Sequence, residues 1–150
     1  NRGWEASCAF DGDMNTAWDG CCGDYWKGVE VHETEDGKIH VFIEQVLELR
    51  FREPVRLQAY AMATMEEECP ISWTFEAAAR SEAGLWKWMP LHGVSNATCK
   101  DGSFSKFYPV VDSKQEEFDT GMPPAFTRYR WIFEEITPGW HEDRHRNGYR

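Results

Sequence analysis

Val41-Phe42-Ile43-Glu44-Gln45-Val46-Leu47-Glu48-Leu49-Arg50-Phe51 is the longest regular pattern in the chain. Val41, Ile43, Leu47, Leu49 and Phe51 fall on one side, with Gln45 the polar exception. Phe42, Glu44, Val46, Glu48 and Arg50 fall on the other. Successive side chains of a strand point to opposite faces, so this period of two predicts a half-buried β-strand.

The same reading extends outward. Glu33-Thr34-Glu35-Asp36-Gly37-Lys38 is a polar Asp-Gly stretch between β-favouring segments and predicts a hairpin. Pro54 is expected to break the strand, with Val55, Leu57, Ala59 and Ala61 resuming it as a partner. Trp73, Phe75, Ala77 and Ala79 predict another strand, although the Ala-rich end also suits a helix. After the Ser81–Gly84 turn, Trp86-Lys87-Trp88-Met89 predicts a short strand, and the shared face of its two indoles favours core packing. Residues 92–103 read as loop and 104–111 as strand-like. Tyr129, Trp131 and Phe133 alternate with Arg128, Arg130 and Ile132 in the last strong strand. Short strands and turn-rich loops without helical period indicate an all-β sandwich or barrel.

The 150 residues suit one domain, 1–150, able to bury a core. Eight Trp and ordinary charge content mark a folded chain. A net charge of −10 argues against nucleic acid, whose phosphates select Lys and Arg. No apolar run approaches the roughly 20 residues of a membrane helix. Cys8, Cys21, Cys22, Cys69 and Cys99 lack zinc-ligand spacing, and with the sequon Asn96-Ala97-Thr98 they favour an oxidising, extracellular or luminal compartment and a glycoprotein.

Catalytic constellations are weak. His32, His40, His92, His141 and His145 are scattered, and neither a Gly-x-Ser-x-Gly elbow nor a phosphate-cradling glycine loop occurs. Asp11-Gly12-Asp13-Met14-Asn15-Thr16 is different, because it concentrates oxygen donors around a turn glycine. Ca²⁺ takes six to eight such oxygens. An ordinary turn also accounts for these residue types.

Several segments in order resemble a known family. They are Ala9-Phe10-Asp11-Gly12-Asp13 through Trp18, Leu47-Glu48-Leu49 ahead of Pro54-Val55, Pro70 with Trp73 and Glu76, Ser81-Glu82-Ala83-Gly84 with Trp86, Trp88 and Leu91, and Arg128-Tyr129-Arg130-Trp131. Together, over about positions 6 to 136, they resemble a discoidin domain, also called the coagulation-factor C-type domain. That family belongs to the galactose-binding-like superfamily with the family-32 carbohydrate-binding modules.

The resemblance implies a jelly-roll β-sandwich of two antiparallel sheets and a non-catalytic, lectin-like glycan-binding module with structural calcium. Asp11 would supply a carboxylate, Thr16 its hydroxyl and carbonyl, and Asp13 and Cys8 backbone carbonyls, with Trp18 packed beneath. The family completes this site with a Glu on a final strand, which Glu134 and Glu135 do not match. The first and last strands are therefore expected beyond these residues, in a longer chain. Family ligands are held by loops, where Tyr25 and Trp26 are the candidate aromatics and Glu66, Glu68 and His92 the candidate polar partners. The alternative is a structural protein–protein interaction module within a larger assembly, without sugar binding.

Overall fold

The computed structural model describes residues 6–10, 30–64, 69–98, 106–110 and 124–137. A short 3₁₀ turn, Ala6–Ala9, precedes seven strands: β1 (Glu30–Glu33), β2 (Ile39–Val55), β3 (Ala59–Tyr60), β4 (Pro70–Arg80), β5 (Trp86–Val94), β6 (Tyr108–Pro109) and β7 (Phe126–Ile136). The described elements are nearly all β. Five strands form one antiparallel sheet in the order β1-β2-β7-β4-β5, and β3 pairs with β6 in a second, two-stranded sheet.

The alternation that identified β2 governs its burial. Val41 and Leu47 are buried and Leu49 and Phe51 pack on the core, whereas Phe42, Val46 and Arg50 are exposed. The predicted hairpin forms between β1 and β2. Gly37 adopts φ 78°, a left-handed conformation glycine takes without strain, and the Thr34 amide bonds the Lys38 carbonyl at 2.9 Å.

Pro54 does not break the strand, contrary to expectation, because β2 runs on to Val55. Its register against β7 jumps from Arg50↔Arg128 to Val55↔Phe126, so the chain leaves the ladder around Pro54 and needs no amide there. Residues 55–61 are likewise not the partner of β2. Val55 is fixed instead by Tyr129, whose hydroxyl donates to its carbonyl at 2.5 Å, and Ala59–Tyr60 joins the second sheet. Residues Ala77 to Ala79 are strand, all three paired with β5 and Ala77 and Ala78 also with β7, which leaves no place for the helical alternative.

Inner rows run across the sheet. Leu47, Trp131, Phe75 and His92 are successive cross-strand neighbours, as are Leu49, Tyr129, Ala77 and Met89. Tyr60, Tyr108 and Val110 cover this face from the small sheet. Phe75 lies 4.9 Å from the Tyr60 ring centroid and 4.8 Å from that of Trp131, spacings typical of favourable tilted aromatic pairs.

Candidate functional site

His92 is the one predicted ligand-binding residue whose side chain is among those described. β5 continues to Val94 rather than ending before His92. Opposite Phe75 and Glu76, β5 carries one extra residue, since Glu76 faces Pro90 while Phe75 faces His92. This bulge inverts the facing of the strand, so His92 turns inward.

There it joins an interior chain. Its Nδ1 lies 3.0 Å from the Val110 carbonyl, so that nitrogen carries the proton. Nε2 is then an acceptor and receives the Tyr60 hydroxyl at 2.6 Å. Tyr60 in turn accepts the Trp73 indole N–H at 2.7 Å. Burial raises the Tyr60 hydroxyl far above the usual phenol range, against the opposing effect of its hydrogen bonds, so it stays protonated. The chain links β4 and β5 of the large sheet to the small sheet. His92 is thus a tie between sheets, and the Trp131 indole packs edge-on against Tyr60 beside it.

Before the bulge, the facing is reversed, and this corrects the placement of Trp86 and Trp88. Met89 and Leu91 turn toward the core instead. Both indoles stand on the outer face, Trp86 at 37% exposure, in a column that sequence reasoning missed. The Arg80 guanidinium carbon is 5.0 Å from the Trp86 ring; Arg128 lies between the indoles, 4.5 Å from Trp86 and 5.4 Å from Trp88; Arg130 sits 4.0 Å beyond, over Trp88. Guanidinium and indole therefore alternate, each cation within the range where the ring's electron-rich face attracts it.

Register explains the column. Arg50, Arg128, Ala78 and Trp88 form one outer row, so the Ala78 methyl floors the gap across which Arg128 reaches the indoles. The next row places Arg130 between Glu48 and Glu76. Glu48 accepts Arg128 Nε at 2.6 Å and Arg50 Nε at 2.7 Å, and Glu76 accepts Arg130 Nη2 at 2.6 Å and Nε at 2.7 Å. Burial raises the Glu48 carboxyl, but the hydrogen bonds and charges of Arg128 and Arg50 outweigh it and hold it below the ordinary value. The arrangement presents planar cations and indole edges, which suits recognition of anions and amphipathic rings rather than bond-breaking.

At the opposite end of the sheet, His40 Nδ1 meets Glu135 Oε1 at 2.8 Å, and Ser72 Oγ lies 3.4 Å from the other Glu135 oxygen. Among the described residues no group of three or more His, Cys, Asp or Glu side chains could hold a metal. The proposed calcium ligands Asp11, Asp13 and Thr16 lie outside the described residues, as does the Cys8 side chain. Tyr25, Trp26, Glu66 and Glu68 also lie outside them. No described helix is long and apolar enough to cross a membrane. No protein-family model matches the chain, and neither a curated protein nor a solved structure matches it.

Proposed function

We propose that this chain is a non-catalytic, lectin-like binding module for glycans, built on a discoidin-type jelly roll. The observation that supports binding best is the alternation of guanidiniums with Trp86 and Trp88 on the outer sheet face, open to solvent at Arg80 and Trp86. Glycans are recognised by polar and charged groups that bond their hydroxyls and acidic substituents, flanked here by indole edges. A non-catalytic role agrees with the binding of His92 and Tyr60 to each other in the interior. Secretion agrees with the disulfide at Cys69 and with the exposed position of Asn96 in its sequon.

A glycan array tests the reading. Binding by protein of verified fold is the expected result, and an array with no bound glycan refutes it. The calcium part, at Cys8, Asp11, Asp13 and Thr16, predicts that a chelator lowers the melting temperature and Ca²⁺ restores it. By linkage, Ca²⁺ at a hundred times its Kd adds about 2.7 kcal/mol. No shift removes the calcium claim.

A second reading, a protein–protein interaction module in a larger assembly, has its own support. Phe42 and Val46 are 38% and 49% exposed on the same strand as Glu48 and Arg50, and Trp and Arg are the residue types that dominate interface energetics.

A further inference from the structure

Among the described residues, charge is segregated along the strands of the large sheet. At the end containing residues 30–44 and 132–136 stand seven carboxylates (Glu30, Glu33, Glu35, Asp36, Glu44, Glu134 and Glu135) and one lysine, Lys38. At the end formed by residues 48–56, 76–88 and 126–130 the balance reverses, to seven cations and four carboxylates. This reversal occurs in a chain whose net charge is −10.

Two of those four carboxylates are already engaged, since Glu48 and Glu76 serve Arg128 and Arg130 within the column and are only 25% and 12% exposed. On the outer face, Arg52, Arg56 and Arg80 are exposed and hold no carboxylate among the described residues. Arg50 shares Glu48 but keeps 69% of its side chain in solvent. Between these cations the exposed part of Trp86 offers apolar surface.

We infer that this basic end of the outer face docks an acidic glycan, a polysaccharide carrying sulfate or carboxylate groups. The inference rests on the glycan-binding reading and names its ligand class. Guanidiniums bond planar or tetrahedral oxyanions through paired N–H groups, which a lysine cannot do. Their recurrence across strands roughly 4.8 Å apart suits a polymer whose anions recur along its length. The faces of the indoles are taken up by guanidiniums, so a neutral sugar finds little ring to stack on, while an acidic one meets both cation and indole edge.

The test measures binding of the intact chain to immobilised heparin, desulfated heparin, a neutral galactan and a polyglutamate peptide, at low and physiological salt. Heparin is bound selectively, its affinity falls with salt, and the triple variant Arg52→Ser, Arg56→Ser, Arg80→Ser weakens it at least about tenfold. All three positions are exposed, so the variant keeps a cooperative unfolding curve, lowered only by the lost contact of Arg80 with Trp86. Heparin binding unchanged in the variant overturns the inference. Binding of the galactan alone overturns it while leaving the glycan reading intact. Polyglutamate bound as tightly, through the same arginines, makes the occupant an acidic protein and overturns it as well. No binding to any probe removes both.

Discussion

Replacing Tyr60 with phenylalanine deletes one oxygen and leaves the packing in place. The ring keeps its contacts with Phe75, His92, Tyr108 and Trp131, so no cavity forms. The lost hydroxyl leaves the indole N–H of Trp73, a residue 2% exposed, without its acceptor and takes from His92 Nε2 the proton it accepts. A buried polar atom deprived of its partner costs about 1–3 kcal/mol, so the variant loses about 2–4 kcal/mol, the lower share falling to half-buried His92. For a chain of this size that is a fall in Tm of about 4–16 °C. Urea denaturation of the Tyr60→Phe, Trp73→Phe and double variants measures it directly. The two single losses overlap in the double variant, with a coupling of at least about 1 kcal/mol. A loss below about 0.5 kcal/mol, the scale of ordinary surface substitutions, refutes the claim that this chain ties the sheets together.

Two further predictions concern the outer column. The Glu48 carboxyl is held below its ordinary value of 4.5, so the folded state binds fewer protons than the unfolded state and stability falls as acid is added. Denaturation midpoints from pH 7 to 3 therefore show a wild-type advantage over Glu48→Gln that is full above pH 4.5 and fades below it; parallel curves would contradict the pairing. Ala78 is 2% exposed and leaves no room for branched bulk beneath Arg128. Ala78→Leu displaces the guanidinium and destabilises by about 1–3 kcal/mol, with an altered near-ultraviolet circular dichroism signal from Trp86 and Trp88. An unchanged signal would show that the column does not depend on that floor.

Local alternation was readable where a strand keeps one facing along its length. Residues 41–51 and 129–133 are of this kind, and their burial follows their sequence. Trp86, Trp88 and His92 share one parity, so the sequence alone places them on one face; the extra residue at Leu91 separates them. A bulge is set by pairing with another strand and leaves no local trace, which is why two indoles expected inside stand outside. The partner of β2 was missed for a related reason. Residues 55–61 follow it directly, but β7 supplies the matching inner row of Tyr129, Trp131 and Phe133, and long-range register is settled by core complementarity. The interior tie through Tyr60 was equally hidden, because Tyr60, Trp73 and His92 meet only once both sheets exist. Most of the loop residues named as ligand contacts lie outside the described part of the chain, so the legible portion concerns the frame.

The position of β7 bears on how the protein is made. It is the last described strand in sequence yet lies at the centre of the large sheet, between β2 and β4. During synthesis, the β1–β2 and β4–β5 hairpins leave the ribosome as separate units, each with an unsatisfied edge that β7 will later occupy. Antiparallel pairing across so long a stretch of chain is slow, and open edges invite pairing with other molecules. Chains interrupted before residue 126 therefore carry two sticky half-sheets, making the interval before β7 emerges the period of greatest need for a chaperone.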